Sequence, residues 1–438
     1  MHLAWPAILQ GMMHTLVFLV DRVMLGRYDE GALASMQISG PTFWSLISIF
    51  GAFQAGTVAV VGRAVGAGDA DRARRTVQSV LALALGVGLL VSVGGFFSRG
   101  LIAEAVAGGG PEAAVIRDLA QRYMGVIFPI VGLYLMGITA TTILQASGDT
   151  RTPMVITGLA GLVNVSGNYL LIYGAFGLPE LGVVGAALGS AAAFCFAAVV
   201  SLVVLIRRRG PARLALERPT PAHREALGAV LAVSRAAFVE KLVFHAGFMA
   251  FVALISRLGD VAMAANQALI AIESLGFITS NGFGVAAGAL VALKLGAGKR
   301  EEAAVAGRVS VGLAVAVLSA VGLLFFSLNH SLIGAFTDDP EILTLGASCL
   351  LIAAGAQPVM AVADTLAGAL RAAGDTRTPM FAALVGTAGV RVVATWGLAF
   401  AMGWGLYGVW AASTLDWIIR AAWMGRVFAK GRWKGIEV

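Results

Sequence analysis

The chain has 438 residues, of which 58% are apolar and 13% charged, and its mean hydropathy is +0.86. A typical soluble domain has about 25% charged residues, so a soluble fold of this composition could not cover its own surface. Two cysteines, little proline and no short repeat exclude the disulfide-rich, disordered and fibrous classes. The composition predicts a polytopic membrane protein.

Charge-free stretches long enough to cross the roughly 30 Å hydrocarbon layer as helices divide the chain into twelve predicted spans. None alternates with the two-residue period of a barrel strand. We therefore predict an all-α membrane protein. Spans 1 to 6 are predicted at 3–20, 31–62, 76–98, 123–148, 152–179 and 181–206, and spans 7 to 12 near 227–256, 262–293, 309–328, 342–370, 379–402 and 406–428.

Lysine and arginine are concentrated in one set of the predicted loops, including the stretch 207–224 between spans 6 and 7. The positive-inside rule then places both termini in the cytoplasm. We expect a multi-pass protein of the inner (plasma) membrane, in contact with the lipid bilayer. The net charge of +7 is interpreted as this topology signal, and no nucleic-acid partner is expected.

The two halves of the chain repeat each other. Gly148–Met154 recurs residue for residue as Gly374–Met380, and Gly66–Gly68 recurs as Gly296–Gly298. Each repeat holds six spans, an even number, so both enter the membrane from the same side as parallel repeats. We predict two six-helix lobes around a central cleft, with an N-lobe at 1–207, a linker at 208–225, a C-lobe at 226–430 and a tail at 431–438.

The longer repeated segment predicts a turn between two helices. Glycine permits a tight turn after a helix, Asp and Thr can cap the next helix, and Pro suits its first turn. We interpret the turns as architectural, with a part in gating as the alternative. Their residues are Gly148, Asp149, Arg151 and Pro153 in the first copy and Gly374, Asp375, Arg377 and Pro379 in the second.

Carboxylates inside predicted spans are candidate functional groups, because each costs roughly 2.5–3.5 kcal/mol at the bilayer centre. In the N-lobe the candidate is Asp21, in the outer third of span 1. Asn164 and Asn168 are spaced i,i+4, so both amides line one face of span 5. The three side chains could form an oxygen-rich ion site or a proton site. Alternatively, the two amides are interhelical hydrogen-bonding groups.

The C-lobe has more charges within its spans. Glu240 and Glu273 are predicted at similar depths on consecutive helices, where a carboxylate pair would share a proton or bind a cation. Asp364 lies about two turns before the next basic residue. The remaining charges are interpreted as structural: Asp416 and Arg420, at i,i+4, can neutralise each other, and Arg391 balances a nearby acid.

Taken together, these motifs resemble the multidrug and toxic compound extrusion (MATE) transporters. The likeness covers essentially the whole chain. Its signatures are Leu19-Val20-Asp21 with Leu25-Gly26, Ala264–Gln267 with Ile272–Leu275, the paired glycine-rich and GDTRTP loops, Asn164 with Asn168, and Gly182 with Gly185. The resemblance implies two lobes that form a V and alternate between inward- and outward-open states. It also implies export of organic cations and drugs against inward H+ or Na+ flow.

The chain departs from the family pattern at positions that bear on the coupling ion. Asn168 stands where proton-linked members often have Asp, and Asn266 stands where His is common. Phe244 and Met360 align with the acids of the sodium-linked branch, while Glu240 and Asp364 lie one turn away. Both H+ and Na+ therefore stay open.

We thus expect a monomeric secondary antiporter, not an enzyme, that needs no cofactor or metal beyond its coupling ion. Its expected substrates are small organic cations. The alternatives are a lipid-linked oligosaccharide flippase, which predicts a basic cavity, a major-facilitator carrier, whose basic loop between spans 2 and 3 is missing, and an integral membrane transferase, which needs a polar catalytic cluster near one membrane face.

Overall fold

The computed structural model of the chain describes residues 4–106 and 113–437. Within those residues the protein consists of twelve long helical spans and contains no strand. Most connections are short turns, but the linker 208–220 joins spans 6 and 7, and the short helix Asn329–Gly334 lies between spans 9 and 10. Spans 1 to 6 are the helices Ala4–Tyr28, Glu30–Gly66, Ala70–Val106, Ala113–Ala146, Arg151–Ile172 and Gly182–Arg207. Spans 7 to 12 are Pro221–Ile255, Asp260–Gly296, Arg300–Ser327, Pro340–Ala372, Arg377–Ala401 and Gly405–Lys430.

The prediction of an all-helical, twelve-span protein is confirmed. The helices run past the charge-free stretches, because a membrane helix continues beyond the hydrocarbon layer into its charged ends. Span 7 begins at Pro221, so residues 221–225 of the predicted linker are helical. Among the described helices, eleven are long and apolar enough to cross a membrane. Span 12 is as long but less apolar, with Asp416 and Arg420 near its centre.

Both ends of the described chain lie on one face of the molecule, which we call the terminal face. Span 1 starts there, and span 2 returns to it. Arg63, in the last turn of span 2, donates a hydrogen bond of 2.6 Å to the carbonyl of Ile436, near the other chain end. Odd-numbered spans therefore leave this face and even-numbered spans return to it.

The two lobes meet where span 2 packs against spans 7 and 8 and where span 1 packs against span 8. Spans 2 and 8 come closest near the terminal face. A Cβ atom on Gly66 would lie 2.1 Å from the carbonyl oxygen of Leu293, and one on Gly296 would lie 2.1 Å from that of Arg63. The two glycines are counterparts in the repeat, so this close approach is reciprocal. Glycine is needed at both positions because any side chain would push the lobes apart.

Away from the terminal face the lobes separate. Near the middle of span 2, Trp44 still contacts His245 of span 7, with ring centroids 5.0 Å apart. Still farther from the terminal face on span 2, the atoms nearest to a Cβ position on Gly40 belong to Phe18 and Arg22 of its own lobe. The lobes thus form a V that is closed at the terminal face and opens toward the opposite face.

The linker between the lobes is bound to the N-lobe. The side chain of Gln78 in span 3 exchanges two hydrogen bonds with the backbone of Glu217, at 2.7 and 3.0 Å. The neighbouring Ser79 donates to the carbonyl of His223, at 3.1 Å. These bonds hold the linker against span 3.

Candidate functional site

The N-lobe holds a buried carboxylate with neutral partners. Asp21 is 8% exposed and accepts a hydrogen bond of 2.5 Å from the amide nitrogen of Asn168. That nitrogen also lies 3.4 Å from the amide oxygen of Asn164, and Asn164 donates to the hydroxyl of Ser190 at 3.1 Å. Spans 1, 5 and 6 meet at this cluster. The structure therefore brings together Asp21, Asn164 and Asn168, the three residues predicted for the N-lobe site.

Span 6 contributes two small residues that the sequence interpretation missed. Ser190 accepts the Asn164 amide, and a Cβ atom on Gly189 would lie 2.1 Å from the amide oxygen of Asn168. The lack of a side chain at Gly189 lets span 6 approach span 5 at the site. A Gly-Ser pair in a membrane helix is the signal that could have identified this approach.

The Asp21 carboxylate makes no ion pair with any described residue. The neighbouring Arg22 turns away, and its guanidinium lies 4.3 Å from the ring centroid of Phe18. The amide oxygen of Asn168 is buried and has no hydrogen-bond partner among the described atoms. The cluster thus has unused oxygen acceptors and a carboxylate without a fixed counter-cation. It can take up a proton or a small cation.

Aromatic side chains pack beside this cluster. Tyr134 and Phe194 have ring centroids 4.3 Å apart, and Phe43 lies 5.4 and 5.7 Å from them. Phe43 and Tyr123 also line a small cavity, and Tyr123 lies close to both Ser190 and Asp21. The aromatic wall formed by these rings therefore extends to the N-lobe carboxylate through Tyr123.

In the C-lobe, Glu240 has a fixed partner. Its two carboxylate oxygens accept hydrogen bonds from the Nη2 and Nε atoms of Arg371, at 2.7 and 3.1 Å. Such a two-point pair is among the stronger polar contacts in proteins. The expected Glu240–Glu273 carboxylate pair is therefore wrong, because an arginine occupies both oxygens of Glu240.

A second ionic cluster links spans 11 and 12. Asp416 is fully buried and lies 2.8 Å from the Nε of Arg420 and 2.9 Å from the Nη2 of Arg391. The guanidinium of Arg420 also lies over the ring of Trp417, at 4.0 Å. The predicted pairing of Asp416 with Arg420, and of Arg391 with a nearby acid, is present. Span 11 has wide π-helical turns over Leu384–Arg391, so Arg391 is the last residue of this π-helical segment.

Two C-lobe acids remain without an ion pair in the described part of the chain. Glu273 is half-buried, and the charge that acts on it is that of Arg391. Asp364 is half-buried as well, and its Oδ2 atom has no hydrogen-bond partner among the described atoms. Lys241 acts electrostatically on Asp364 and on Glu240. In these two C-lobe clusters, the number of cationic side chains thus equals the number of carboxylates. The cations are Lys241, Arg371, Arg391 and Arg420, and the carboxylates are Glu240, Glu273, Asp364 and Asp416.

The two GDTRTP turns have the same hydrogen bonds. Asp149 accepts from the backbone nitrogen and hydroxyl of Thr152, at 3.0 and 2.8 Å. Asp375 accepts from the same atoms of Thr378, at 3.1 and 2.7 Å. The prediction that Asp caps the next helix is confirmed in both copies. The prediction that the Thr directly after each Asp also caps the helix is wrong, because the hydroxyls of Thr150 and Thr376 make no cap bond.

The other turn residues also have matching environments. Gly148 and Gly374 have φ angles of +86° and +91°, a region that favours glycine. The two prolines are buried in the first turn of the helix, and the two arginines are exposed. These residues are Pro153 and Pro379, and Arg151 and Arg377. Such geometry accounts for the repeat without a part in gating, which stays a prediction.

The sequence profile of the MatE family matches residues 6–170 and again residues 236–396, once in each lobe. These matches cover more than half of the chain. The chain belongs to the MatE family. Membership sets aside the transferase and major-facilitator alternatives: this MatE protein is a multi-pass membrane transporter and not an enzyme.

Curated relatives and solved structures agree with the MatE assignment. A probable multidrug resistance protein NorM of Thermotoga maritima is 29% identical, over 99% of this chain and 92% of its own. A protein of the same name from Burkholderia mallei is 30% identical, over 93% and 87%. A solved structure described as the outward-facing conformation of a MATE family transporter of the MOP superfamily has a TM-score of 0.89. That likeness covers 98% of this chain and 95% of the other, at 18% identity, and it supports the two-repeat, V-shaped MatE fold.

Proposed function

We propose that this protein is a secondary antiporter that exports organic cations, including drugs, in exchange for inward H+ or Na+. The relatives named as multidrug resistance proteins support the export of drugs. The observation that carries the coupling is the environment of Asp21, a buried carboxylate whose hydrogen-bond donor is a neutral amide. Its charge is not neutralised by a neighbouring arginine, as that of Asp416 is.

A carboxylate held in this way is a switchable charge. An ionised, unpaired group inside the membrane is costly, so Asp21 is more stable when a proton, a sodium ion or a cationic substrate neutralises it. If these compete for one site, entry of the coupling ion displaces the substrate. The V then alternates between its two open states, and each passage exchanges one cation for the other.

The chemistry of the site is compatible with both coupling ions. A proton needs only a free oxygen of Asp21. A sodium ion needs several oxygen ligands, and the amide oxygens of Asn164 and Asn168 and the hydroxyl of Ser190 lie in the same cluster. In the C-lobe, Glu273 and Asp364 are the remaining candidates for a second coupling group, since Glu240 is held by Arg371.

The positive-inside distribution of basic residues supports a cytoplasmic terminal face in the inner membrane. With that orientation the V opens outward in this structure, and Asp21 lies in the outer third of span 1. Because one monovalent coupling ion enters for each monovalent organic cation that leaves, the two charge movements cancel and the membrane potential does no net work. The concentration gradient of the coupling ion then drives export, and a tenfold gradient supplies about 1.4 kcal/mol.

The aromatic wall supports the choice of substrate class. Phe43, Tyr134 and Phe194 form an apolar cluster that Tyr123 connects to the negative charge of Asp21. Flat organic cations are recognised by this combination, through cation–π attraction and burial of their apolar surface.

Uptake of a fluorescent dye cation into everted membrane vesicles, which corresponds to efflux from the cell, tests the proposal, with pH and Na+ gradients imposed separately. We expect Asp21→Asn to abolish the response to the gradient that drives the wild type. Asp29→Asn is the matched control, because Asp29 is an exposed helix cap in the same region whose role asparagine can fill. Gradient-driven efflux by the Asp21→Asn variant at the wild-type rate would refute the assignment of Asp21. Efflux by the wild type that responds to neither gradient would refute antiport.

A further inference from the structure

The guanidinium of Arg63 crosses the seam between the lobes at the terminal face. Its Nη1 donates to the carbonyl of Ile436 at 2.6 Å, and its Nη2 donates to the carbonyl of Ala373 at 2.7 Å. Arg63 belongs to span 2 of the N-lobe, whereas both acceptors follow helices of the C-lobe. One side chain therefore joins the lobes by two charge-assisted hydrogen bonds.

The two carbonyl groups that accept these bonds lie where a positive charge is stabilised. Ala373 directly follows the last residue of span 10, where backbone carbonyls have no partner within the helix and the helix dipole is negative. Ile436 follows the short helical turn Arg432–Gly435 and offers a second free carbonyl. A guanidinium is planar and has several donors, so it can reach both carbonyls at once.

The tail that carries Ile436 is a fixed part of the C-lobe. Trp433 is 1% exposed, stacks on Phe428 with ring centroids 4.7 Å apart, and donates to the Phe428 carbonyl at 2.9 Å. Lys434 binds both carboxylate oxygens of Glu301 at 2.8 and 3.0 Å. When the lobes separate at this face, the tail must stay with the C-lobe, and the bond from Arg63 must break.

The repeat shows that this contact is a specific feature of one side of the seam. Arg63 lies three residues before Gly66, and Leu293 lies three residues before its counterpart Gly296. Leu293 reaches the N-lobe turn at Gly148, with its Cδ1 3.4 Å from a Cβ position there. Arg63 reaches the corresponding C-lobe turn at Ala373. These two contacts between the lobes are equivalent in position. The contact of Leu293 is apolar, whereas that of Arg63 is a hydrogen bond from a charged group.

We propose that Arg63 is a latch that holds the terminal face closed and so sets the balance between the two open states. The latch rests on the proposed function in one respect, since alternating access requires this seam to open. Its bonds are made only in the state that the structure shows, because both acceptors belong to the opposite lobe. Losing the latch favours the state in which the terminal face is open.

Accessibility of a cysteine at the seam tests the latch without any ion gradient or substrate. Ala292 of span 8 is fully buried and packs against Gly62 of span 2, so a cysteine at 292 reacts with a soluble maleimide only when the seam opens. The background removes the two free cysteines, Cys195 and Cys349, as alanines. Labelling rates are compared in purified protein in detergent and in proteoliposomes.

We expect Arg63→Gln to raise the labelling rate at position 292 roughly tenfold or more, the effect of losing hydrogen bonds from a charged group. Arg63→Lys keeps the charge but cannot bridge both carbonyls, so an intermediate rate is expected. It also serves as the test if the glutamine variant does not fold. Arg300→Gln removes an exposed arginine of the same face and should leave the rate unchanged.

Equal labelling rates in the wild type, Arg63→Gln and Arg63→Lys would overturn the latch. So would the same increase in Arg300→Gln, which would indicate a general effect of charge. This readout is independent of efflux. The latch can therefore fail while antiport stands, and antiport can fail while the seam still opens faster without Arg63.

Discussion

The amide nitrogen of Asn168 lies 2.5 Å from the carboxylate of Asp21, whereas in the other lobe Asp416 is bound by two arginines. Spans 5 and 6, which carry Asn168 and its neighbours, are the repeat counterparts of spans 11 and 12, which carry the Asp416 cluster, whereas Asp21 lies on span 1, the counterpart of span 7. One scaffold has thus diverged in charge. In the N-lobe Asp21 has no ion pair with a described residue, whereas in the C-lobe Asp416 is neutralised within the fold.

The first prediction concerns the amides around Asp21. Asn168→Ala removes the direct donor to the carboxylate, and we expect gradient-driven dye efflux to fall about tenfold, in line with about 1.5–3 kcal/mol for a hydrogen bond to a charged group. Asn164→Ala removes a bond to Ser190 and should have a smaller effect. The measurement is the initial rate of dye uptake into everted vesicles, which corresponds to efflux from the cell, corrected for the amount of transporter. An Asn164→Ala defect larger than that of Asn168→Ala would contradict the assignment.

The second prediction concerns the Asp416 cluster. Asp416→Asn leaves Arg391 and Arg420 without an anion in the membrane interior, and breaking a buried ion pair costs about 3–5 kcal/mol. We expect a clear fall in the thermal unfolding temperature of the purified protein in detergent. Glu301→Gln is the control, because that acid and its pair with Lys434 lie at the surface. Normal stability of the Asp416→Asn variant would show that the cluster does not support the fold.

The third prediction separates an ion pair from a coupling site at Glu240. Glu240→Gln leaves Arg371 unpaired and should reduce the free energy of unfolding by about 1–3 kcal/mol, while the ion dependence of efflux is unchanged. The double variant Glu240→Gln with Arg371→Gln should recover part of that loss, because no unpaired charge remains. Loss of the ion response in both variants, with stability unaffected, would instead make Glu240 a coupling residue.

The sequence predicted the spans because gaps between charges report the hydrocarbon thickness directly. It also predicted that Asn164 and Asn168 face one side of span 5, since i,i+4 spacing is a property of any helix. It could not predict the partner of Glu240. Arg371 directly follows the predicted span 10, at the membrane edge, yet its long side chain reaches the carboxylate of Glu240 on span 7.

The remaining errors have similar physical causes. Gly189 and Ser190 were overlooked because small neutral residues leave no charge signal, although their size lets spans 5 and 6 meet. The caps of the repeated turns were assigned to both Asp and Thr, since either oxygen can accept the same backbone donors. In the structure Asp149 and Asp375 make the cap bonds although Thr150 and Thr376 stand directly before the helices, and a motif alone does not distinguish these two arrangements.

The last prediction concerns the reciprocal glycines at the seam. Gly66→Ala places a methyl group against the carbonyl of Leu293, where the Cβ position lies 2.1 Å away, and Gly296→Ala does the same against the carbonyl of Arg63. Backbone cannot yield as a flexible side chain does, so each variant must move spans 2 and 8 apart, at about 1–3 kcal/mol for overpacking. We expect a lower unfolding temperature and efflux reduced several-fold in both.

Gly86→Ala is the matched control, since a Cβ atom there meets nothing within 4 Å and its helix tolerates alanine well. That variant should unfold and transport like the wild type. Because Gly66 and Gly296 are equivalent in the repeat, their two alanine variants should also resemble each other. A defect in one of them alone would mean that the lobes approach each other asymmetrically. Wild-type behaviour of both would mean that the seam is looser than the carbonyl contacts at Gly66 and Gly296 require.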